Sequence, residues 1–514
     1  MPNLLVLLDS RAVGVAVVVL FLYTLYGAVY RLYLSPIAGF PGPKLAALTL
    51  WYEIWFDVFP NYGQYTFHIR KLHEKYGPIV RINPWELHIS TPEFYETLYS
   101  SSKKRDKWWW FVRTFGLPGG VAFAVDHNLH RMRRSVLNPY FSSANVRRLQ
   151  PLIDENVQKF IGRLRGLEKS GEVIRCVVAA SAFSAGKDSP ILLILLTATN
   201  GSRDVIMTYA FGRSYKRLEK ADFDAHEYDS THAAASFGWV IKHFVWILSI
   251  VKSLPTFAQK AMGEALATFV TLQDECKKQV RETISEKDGA HQDLSHPTIF
   301  HELLSSKLPP VEKSVQRLAE EAQTIVIAGQ ETLELKAAIP NPDISTPEPV
   351  LENLPFLTGI IKEGLRLSYG ASTRLQRVPL EPFLFTSGKQ EWIIPVGTPV
   401  GMTSVLIHQN ESIYPNWREF RPERWIEDPR LDRYLVSFSK GSRQCVGMNL
   451  AYAEMYLWLS GIFRRFGSGG IRFEEDEGIL ELVDTCAEDV EIDSDCFLPN
   501  IRADREGVKI RVMS

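Results

Sequence analysis

The chain has 514 residues, 46% hydrophobic and 23% charged, with 58 basic side chains against 59 acidic ones for a net charge of −1. That is ordinary globular composition, which excludes a disordered scaffold, a collagen-like fibre and a multi-span transporter, and the charge balance gives no attraction to nucleic acid. Five cysteines, an odd number, do not make a disulfide framework, so the body is expected in a reducing compartment.

The first element is an uncharged run from Ala12 to Tyr30, bracketed by Arg11 and Arg31, with Tyr23, Tyr26, Tyr30 and Tyr33 near its end. About 20 apolar helical residues cross the hydrocarbon core of a bilayer, and tyrosines suit its interface. A cleaved signal peptide is the competing reading, but the run is long for one and no small-x-small cleavage site comes after it. Instead the run leads into Phe40-Pro41-Gly42-Pro43-Lys44, a stiff break after a helix. The expected organisation is an anchor over 1–34 with its transmembrane helix at about 12–30, a Pro-rich hinge over 35–48, and a body over 49–514. Arg31 and Lys44 after the run, against Arg11 before it, place the body in the cytosol. The sequons at Asn200 and Asn410 are then unglycosylated.

Residues 75–100 alternate apolar and polar, with turn punctuation at Gly77-Pro78 and Asn83-Pro84, and predict two short strands. Helical periodicity marks 128–165, 257–285 and 311–338, the last ending at Pro340. Strand character returns at 392–404 and at the C-terminus. The acidic, apolar-interleaved stretch Glu474 to Asp495 predicts the solvated face of hairpins. No internal repeat is present. The fold class is α+β, mostly α-helical, with small β-sheets.

One loop stands out chemically: Phe438-Ser-Lys-Gly441-Ser-Arg443-Gln-Cys445-Val-Gly447, with a helical run directly after it. A Gly-rich loop at a helix N-terminus presents a sulfur to backbone N–H groups, which favour its anion. Such a thiolate is a good axial ligand for haem iron, and glycines let backbone approach a flat cofactor. A buried structural cysteine is the plainer alternative.

The pattern F-x-x-G-x-R-x-C-x-G resembles the haem-binding loop of the cytochrome P-450 superfamily. Four more stretches match the family's motifs. Glu363-Gly-Leu-Arg366 resembles E-x-x-R, and Phe420-Arg-Pro-Glu-Arg424-Trp425 the segment whose arginine completes that ion-pair network. Ala328-Gly329-Gln330-Glu331-Thr332 resembles A/G-G-x-D/E-T of the long helix crossing the haem. His130 and Arg134 resemble the W/H-x-x-x-R that holds a propionate, with Arg377 as a second propionate arginine. The resemblance runs from the Pro-rich hinge to the end. It implies one large haem-thiolate domain with Cys445 as iron ligand. His130, Arg134, Arg377, Arg443, Phe438 and Gly447 then surround the cofactor, and Glu363, Arg366 and Arg424 form a structural network. Thr332, Glu331, Gly329 and Ala328 serve the catalytic side. The residues give reasons as well. Glu363 and Arg366 share a helix face at i,i+3. Ala328 and Thr332 share one at i,i+4, with Gly329 leaving room beside them, and Glu331 and Thr332 supply an acid and a hydroxyl for proton transfer.

The implied activity is membrane-anchored monooxygenation of an apolar small molecule, a terpenoid or polyketide intermediate of secondary metabolism. The implied partners are O2 and an NADPH-cytochrome reductase, and the place is the endoplasmic reticulum with the body cytosolic. A haem-thiolate isomerase or dehydratase that uses no O2 is an alternative; the retained Glu331-Thr332 pair argues against it. Lys107-Trp108-Trp109-Trp110-Phe111 reads equally as a substrate-side cluster or as packing. Arg131, Arg133, Arg134, Arg147, Arg148 and Lys440 read equally as a docking patch for an acidic redox partner or as a solvated face.

Two stretches depart from the family pattern. Only 30 residues separate Thr332 from Glu363, where the resemblance implies roughly twenty to thirty more, two or so helices of ordinary length. Gly186 to Arg203 (GKDSPILLILLTATNGSR) interrupts an otherwise continuous stretch with an apolar core too short to span a membrane. A retained intron and lost coding sequence would account for both. A catalytically impaired haem-binding remnant is the other reading.

Overall fold

The computed structural model describes residues 10–176 (except 116), 204–211, 216–219, 237–255, 346–468 and 474–514 (except 503 and 506), with short stretches between 258 and 318. The stretch 186–203, the motif 328–332, and most of the expected helices at 257–285 and 311–338 lie outside the described residues.

Helix α1 spans Ser10–Val29 and continues through a π-helical turn, Tyr30–Leu34. It stops at Ser35, which is extended because Pro36 comes next. From Val13 to Leu34 the helix is long and apolar enough to cross a membrane, and none of it is buried against the body. The Pro-rich stretch after it is clamped to the body. The Arg81 amide donates to the Pro41 carbonyl (2.7 Å), and its guanidinium donates to the Arg31 carbonyl (2.7 Å). Gly42, at φ +155°, passes so near the Arg81 carbonyl that a Cβ would come within 2.4 Å.

Helices α2 (Lys44–Leu48), α3 (Trp51–Asp57) and α4 (Tyr65–Tyr76) come next. Strands β1 (Ile79–Arg81) and β2 (Leu87–Ile89) pair antiparallel, where two strands were expected. All six residues are buried. Strand β3 (Arg105–Asp106) precedes helices α5 (His127–Leu137), α6 (Ser143–Arg148) and α7 (Gln150–Ser170). Asp126 caps α5 by accepting from the Leu129 amide (2.6 Å), and α7 begins with a proline and ends on left-handed Gly171. Residues 237–243 are helical and lead into helix α8 (Val245–Ser253).

Helix α9 (Pro355–Ser368) leads to β5 (Val378–Pro379), the hairpin β6 (Phe383–Ser387) and β7 (Gln390–Ile394), and β8 (Val400–Gly401). The strand expected over 392–404 is thus broken, because Pro395 to Pro399 turn between β7 and β8, with Gly397 at φ +76°. Strand β8 adds in parallel to β2, and β5 pairs with β3. Helix α10 (Arg424–Glu427) leads to the cysteine loop and then to α11 (Met448–Phe463). Helix α11 is buried nearly all round and so serves as the core helix. Its Gly461 makes the notch for α7, where a Cβ would lie 2.3 Å from Val157 Cγ1. Trp458 and Phe160 meet across the same contact at 5.7 Å.

The second sheet has the order β4-β13-β10-β9, from Val173–Cys176, Val508–Met513, Gly478–Leu482 and Phe466–Ser468. Strands β11 (Ser494–Cys496) and β12 (Leu498–Asn500) form a small hairpin. The acidic stretch expected to face solvent does so only in part. Asp495 is buried and accepts from the Thr66 hydroxyl and the Ser372 hydroxyl (2.8 Å).

Candidate cofactor site

Cys445 is a free, half-buried thiol on the loop between α10 and α11. Its amide donates to the Phe438 carbonyl (2.9 Å), which closes the loop on itself. Phe438 packs against the main core and meets the Tyr452 ring at 5.6 Å. Gly441 has φ +72°, and a Cβ there would lie 1.7 Å from the Tyr99 carbonyl oxygen. The glycine is needed for a close approach to backbone. At Gly447 a Cβ would meet only the Cys445 sulfur, at 4.0 Å. Burial raises the thiol pKa, opposed by the Gly447 amide, then Arg134, then the Met448 amide. The helix N-terminus therefore aims N–H groups at sulfur as expected, but the peptide alone does not make the thiol acidic. A coordinating metal would, since it deprotonates a thiol outright.

Around this loop the chain gathers cations, Arg377 and Arg443 buried and Lys107 and Arg134 half-buried. His130 and Arg134 are one turn apart on α5. The Arg134 guanidinium donates to the Gln444 carbonyl, to the Cys445 carbonyl (3.4 Å) and to Asn138 Oδ1 (2.6 Å). Arg443 donates to the Ala124 and Val125 carbonyls (2.5 and 2.9 Å), and its Nε is buried without a partner. Arg377 donates to the Gln376 carbonyl (3.0 Å) and lies 4.7 Å over the Tyr99 ring. Lys107 donates to the Ala122 carbonyl. Among the described residues, none of these four cations is in an ion pair. Asp106 and Asp126 act on Arg443 from a distance and are engaged with the His127 and Leu129 amides. The crowding of like charges bears on how these groups ionise. Burial, then Arg443, Lys107, Arg134 and Arg377, push His130 down to about 2. Burial, then Arg377, lower Arg443 to about 10. Burial, then Arg377 and Arg443, hold Lys107 well below its usual range. Buried charges left unpaired are costly, so this arrangement is that of a site for a polyanionic partner beside a thiol.

The cytochrome P450 family model matches residues 41–335 and 333–477. The chain belongs to the cytochrome P450 family. It is 42% identical to Cytochrome P450 monooxygenase tpcC of Cochliobolus heterostrophus, over 95% of each chain. It is 38% identical to Tryptophan 6-hydroxylase fscE of Fusarium equiseti, over 99% of this chain and 98% of that one. Retinoic acid-bound cyanobacterial CYP120A1 shares the fold at a TM-score of 0.61 and 17% identity, covering 87% of this chain and 93% of that one. P450 proteins are haem-thiolate monooxygenases that take O2, a small-molecule substrate and electrons from a redox partner. The residues present fit the haem: two propionates would supply negative charge that the Lys107, Arg134, Arg377 and Arg443 cluster lacks among the described residues.

Elsewhere in this P450, Glu363, Arg366 and Arg424 meet in one wholly buried network. Arg366 donates to both Glu363 oxygens (2.9 and 2.8 Å) and Arg424 to one (3.0 Å). Trp425 Nε1 completes it (2.9 Å). Trp425 was legible in the same six-residue motif as Arg424 but carried no role there. Lys107 was hidden inside the aromatic run. That run divides: Trp108, Trp110 and Phe111 are buried in a cluster with Trp239 and Cys496, and Trp109 is exposed. The basic run divides too. Arg133 is buried on Glu312 (2.6 Å), Arg147 pairs with Glu348 (3.1 Å) and Lys440 with Glu96 (3.0 Å). Arg131 and Arg148 stay exposed. Ala328, Gly329, Glu331 and Thr332 lie outside the described residues.

Proposed function

We propose that the chain is a membrane-anchored monooxygenase in which Cys445 is the axial thiolate and His130, Arg134, Arg377, Arg443 and Lys107 hold the propionates. The observation that carries this is the cluster of buried and half-buried cations that has no ion-pair partner among the described residues, beside a free thiol. Bound haem supplies O2 activation. The chain's own residues orient the ring through the cradle and close the loop behind the sulfur through Phe438, and the resemblance of the 328–332 motif assigns proton transfer to Glu331 and Thr332. Arg131 and Arg148 remain on the face offered to an acidic NADPH-cytochrome reductase. The substrate class is an apolar terpenoid or polyketide intermediate. The 38% identity to a tryptophan 6-hydroxylase favours an aromatic amino acid derivative as a second reading. Incubation of membranes with reductase, NADPH and ¹⁸O2 is expected to place one labelled atom in a substrate of one of these classes. Turnover without NADPH or without label would instead assign an isomerase or dehydratase.

Anchoring of the P450 body over 49–514 to the endoplasmic reticulum by residues 1–34 is supported by α1 and by a second apolar surface. Trp51 (65% exposed), Trp55 (54%) and Phe59 (75%) lie on and after α3, with Trp246 (61%) and Ile250 (51%) on α8. The Trp51 and Phe244 rings, 6.3 Å apart, join the two. Tryptophan favours a membrane interface. The chain without residues 1–34 is expected to float partly with phospholipid vesicles. Complete recovery in the soluble fraction would confine the attachment to α1.

A narrower reading concerns the oxygen side. The family match is interrupted at 333–335, and the alignments to the two fungal relatives run over 521 and 538 positions, more than this chain has residues. The alignment lengths mean that the relatives carry positions this chain lacks, and the split in the family match favours placing them after Thr332. A transcript reading straight through this junction and through 186–203 would rule out a splicing or gene-model origin.

A further inference from the structure

A buried ion network lies on the far side of the segment that carries Arg377. After a bend at Thr373, residues 374–377 run extended, held by the Arg377 amide on the Val400 carbonyl (2.8 Å) and the Leu375 amide on the Met402 carbonyl (3.3 Å). In an extended chain successive side chains face opposite ways. Leu375 packs with the β1–β2 core, and Arg377 enters the cradle. Before the bend, Ser372 donates to Asp495 (2.8 Å); on the other face, Arg374 donates to Glu86 Oε1 (3.0 Å) and to Glu53. Gln376 donates to the same Glu86 oxygen (2.8 Å). Asn83 Nδ2 bridges Glu86 and Glu53 at 2.9 Å each. Gly401 on β8 leaves the space this requires, since a Cβ there would lie 3.2 Å from both Arg374 Cβ and Glu86 Oε1.

The network continues away from the cofactor. Lys242, wholly buried in the helical stretch 237–243, donates to Glu53 (2.7 Å) and Asp57 (2.5 Å) and lies 4.0 Å over the Trp239 ring. Glu53, Asp57 and His243 are close enough together to hold a metal ion, but the Lys242 ammonium already pairs with both carboxylates and Arg374 with Glu53. Burial would lower the Arg374 guanidinium; Glu53, then Glu86, hold it above its usual range instead.

We propose that Glu86 is a positioning residue for the cofactor: by gripping Arg374 and Gln376 it fixes the 372–377 segment, and with it the direction in which Arg377 enters the cradle. Glu53 and Lys242 extend the grip to the 237–243 helix. This rests on the reading of Arg377 as a propionate anchor.

The test uses the full-length, haem-loaded chain. Haem transfer to excess apomyoglobin and amide exchange over 372–377 are measured for Glu86→Gln, Gln376→Met, Arg377→Met and the Glu86→Gln/Arg377→Met pair. Partners of this outer kind are worth about 10- to 100-fold in retention of a bound group. Glu86→Gln and Gln376→Met are each expected to raise exchange at 372–377 and to speed haem loss about tenfold. Adding Glu86→Gln to Arg377→Met is expected to add little. The Gln376→Met change removes one uncharged donor to Glu86 and leaves the Glu86–Arg374 ion pair in place, so it tests the grip even where Glu86→Gln does not fold. Faster loss in Arg377→Met with unchanged loss in both Glu86→Gln and Gln376→Met overturns the positioning role alone. Unchanged loss in Arg377→Met overturns the anchor reading and the proposal with it. Exchange that rises throughout the body, with no excess at 372–377, also overturns it.

Discussion

Membranes holding this chain, reduced and exposed to carbon monoxide, are expected to show a strongly red-shifted Soret band, and Cys445→Ser is expected to abolish it together with turnover. The substitution exchanges one atom. Serine keeps the size and the backbone bond to Phe438, and nothing but the sulfur lies near Gly447. The fold should therefore hold to within about 1 kcal/mol. What is lost is thiolate donation to the iron, which is the basis of the red shift and of O–O cleavage. A band that survives in Cys445→Ser would remove the assignment of the ligand. No band in the unaltered chain would mean that this chain does not assemble a thiolate haem site, and the chain restored after Thr332 would then be the one to assay.

The second large effect is expected at Glu363→Ala. Glu363 accepts from Arg366 Nε and Nη2, Arg424 Nε, Trp425 Nε1 and the Arg421 amide, all between 2.8 and 3.0 Å. Alanine leaves two buried guanidinium groups with the carbonyls of His408, Pro415 and Glu419 and, for Arg366, the Tyr414 ring, but with no carboxylate among the described partners. Breaking one buried pair costs about 3–5 kcal/mol, and here one carboxylate serves two. Against a whole-domain stability of about 5–15 kcal/mol, the variant is expected to fail to fold or to load haem. Limited proteolysis of extracted membranes would show it, with Glu363→Gln intermediate because the amide keeps the shape and loses the charge. Resistance equal to that of the unaltered chain would mean that the network contributes nothing to the fold.

The parts of the site that were readable in the sequence are those set by short-range geometry. Glu363 and Arg366 had to share a helix face, and the thiol loop carried its own glycines and the start of α11. The reason for one of those glycines was not readable: Gly441 serves the Tyr99 backbone, more than three hundred residues away. Lys107 carries no role of its own in the sequence because three tryptophans and a phenylalanine come directly after it, and only the fold separates the cation from the packing residues. The grip of Glu86 on Arg374 joins positions 288 apart in the chain, with no local pattern to announce it. The acidic C-terminal stretch misled for the opposite reason. Its composition is that of a solvated face, yet Asp495 is the internal acceptor for two hydroxyls.

The contact of Gly441 with Tyr99 bears on how this protein can change. A loop that allows no methyl group against a distant carbonyl takes its reference frame from the first third of the chain. Drift in either partner must be matched by the other, so the two stretches evolve as one mechanical part. None of the contacts described for that part passes through the interval where the family match breaks. The seat of the sulfur is thus measured from the Tyr99 backbone.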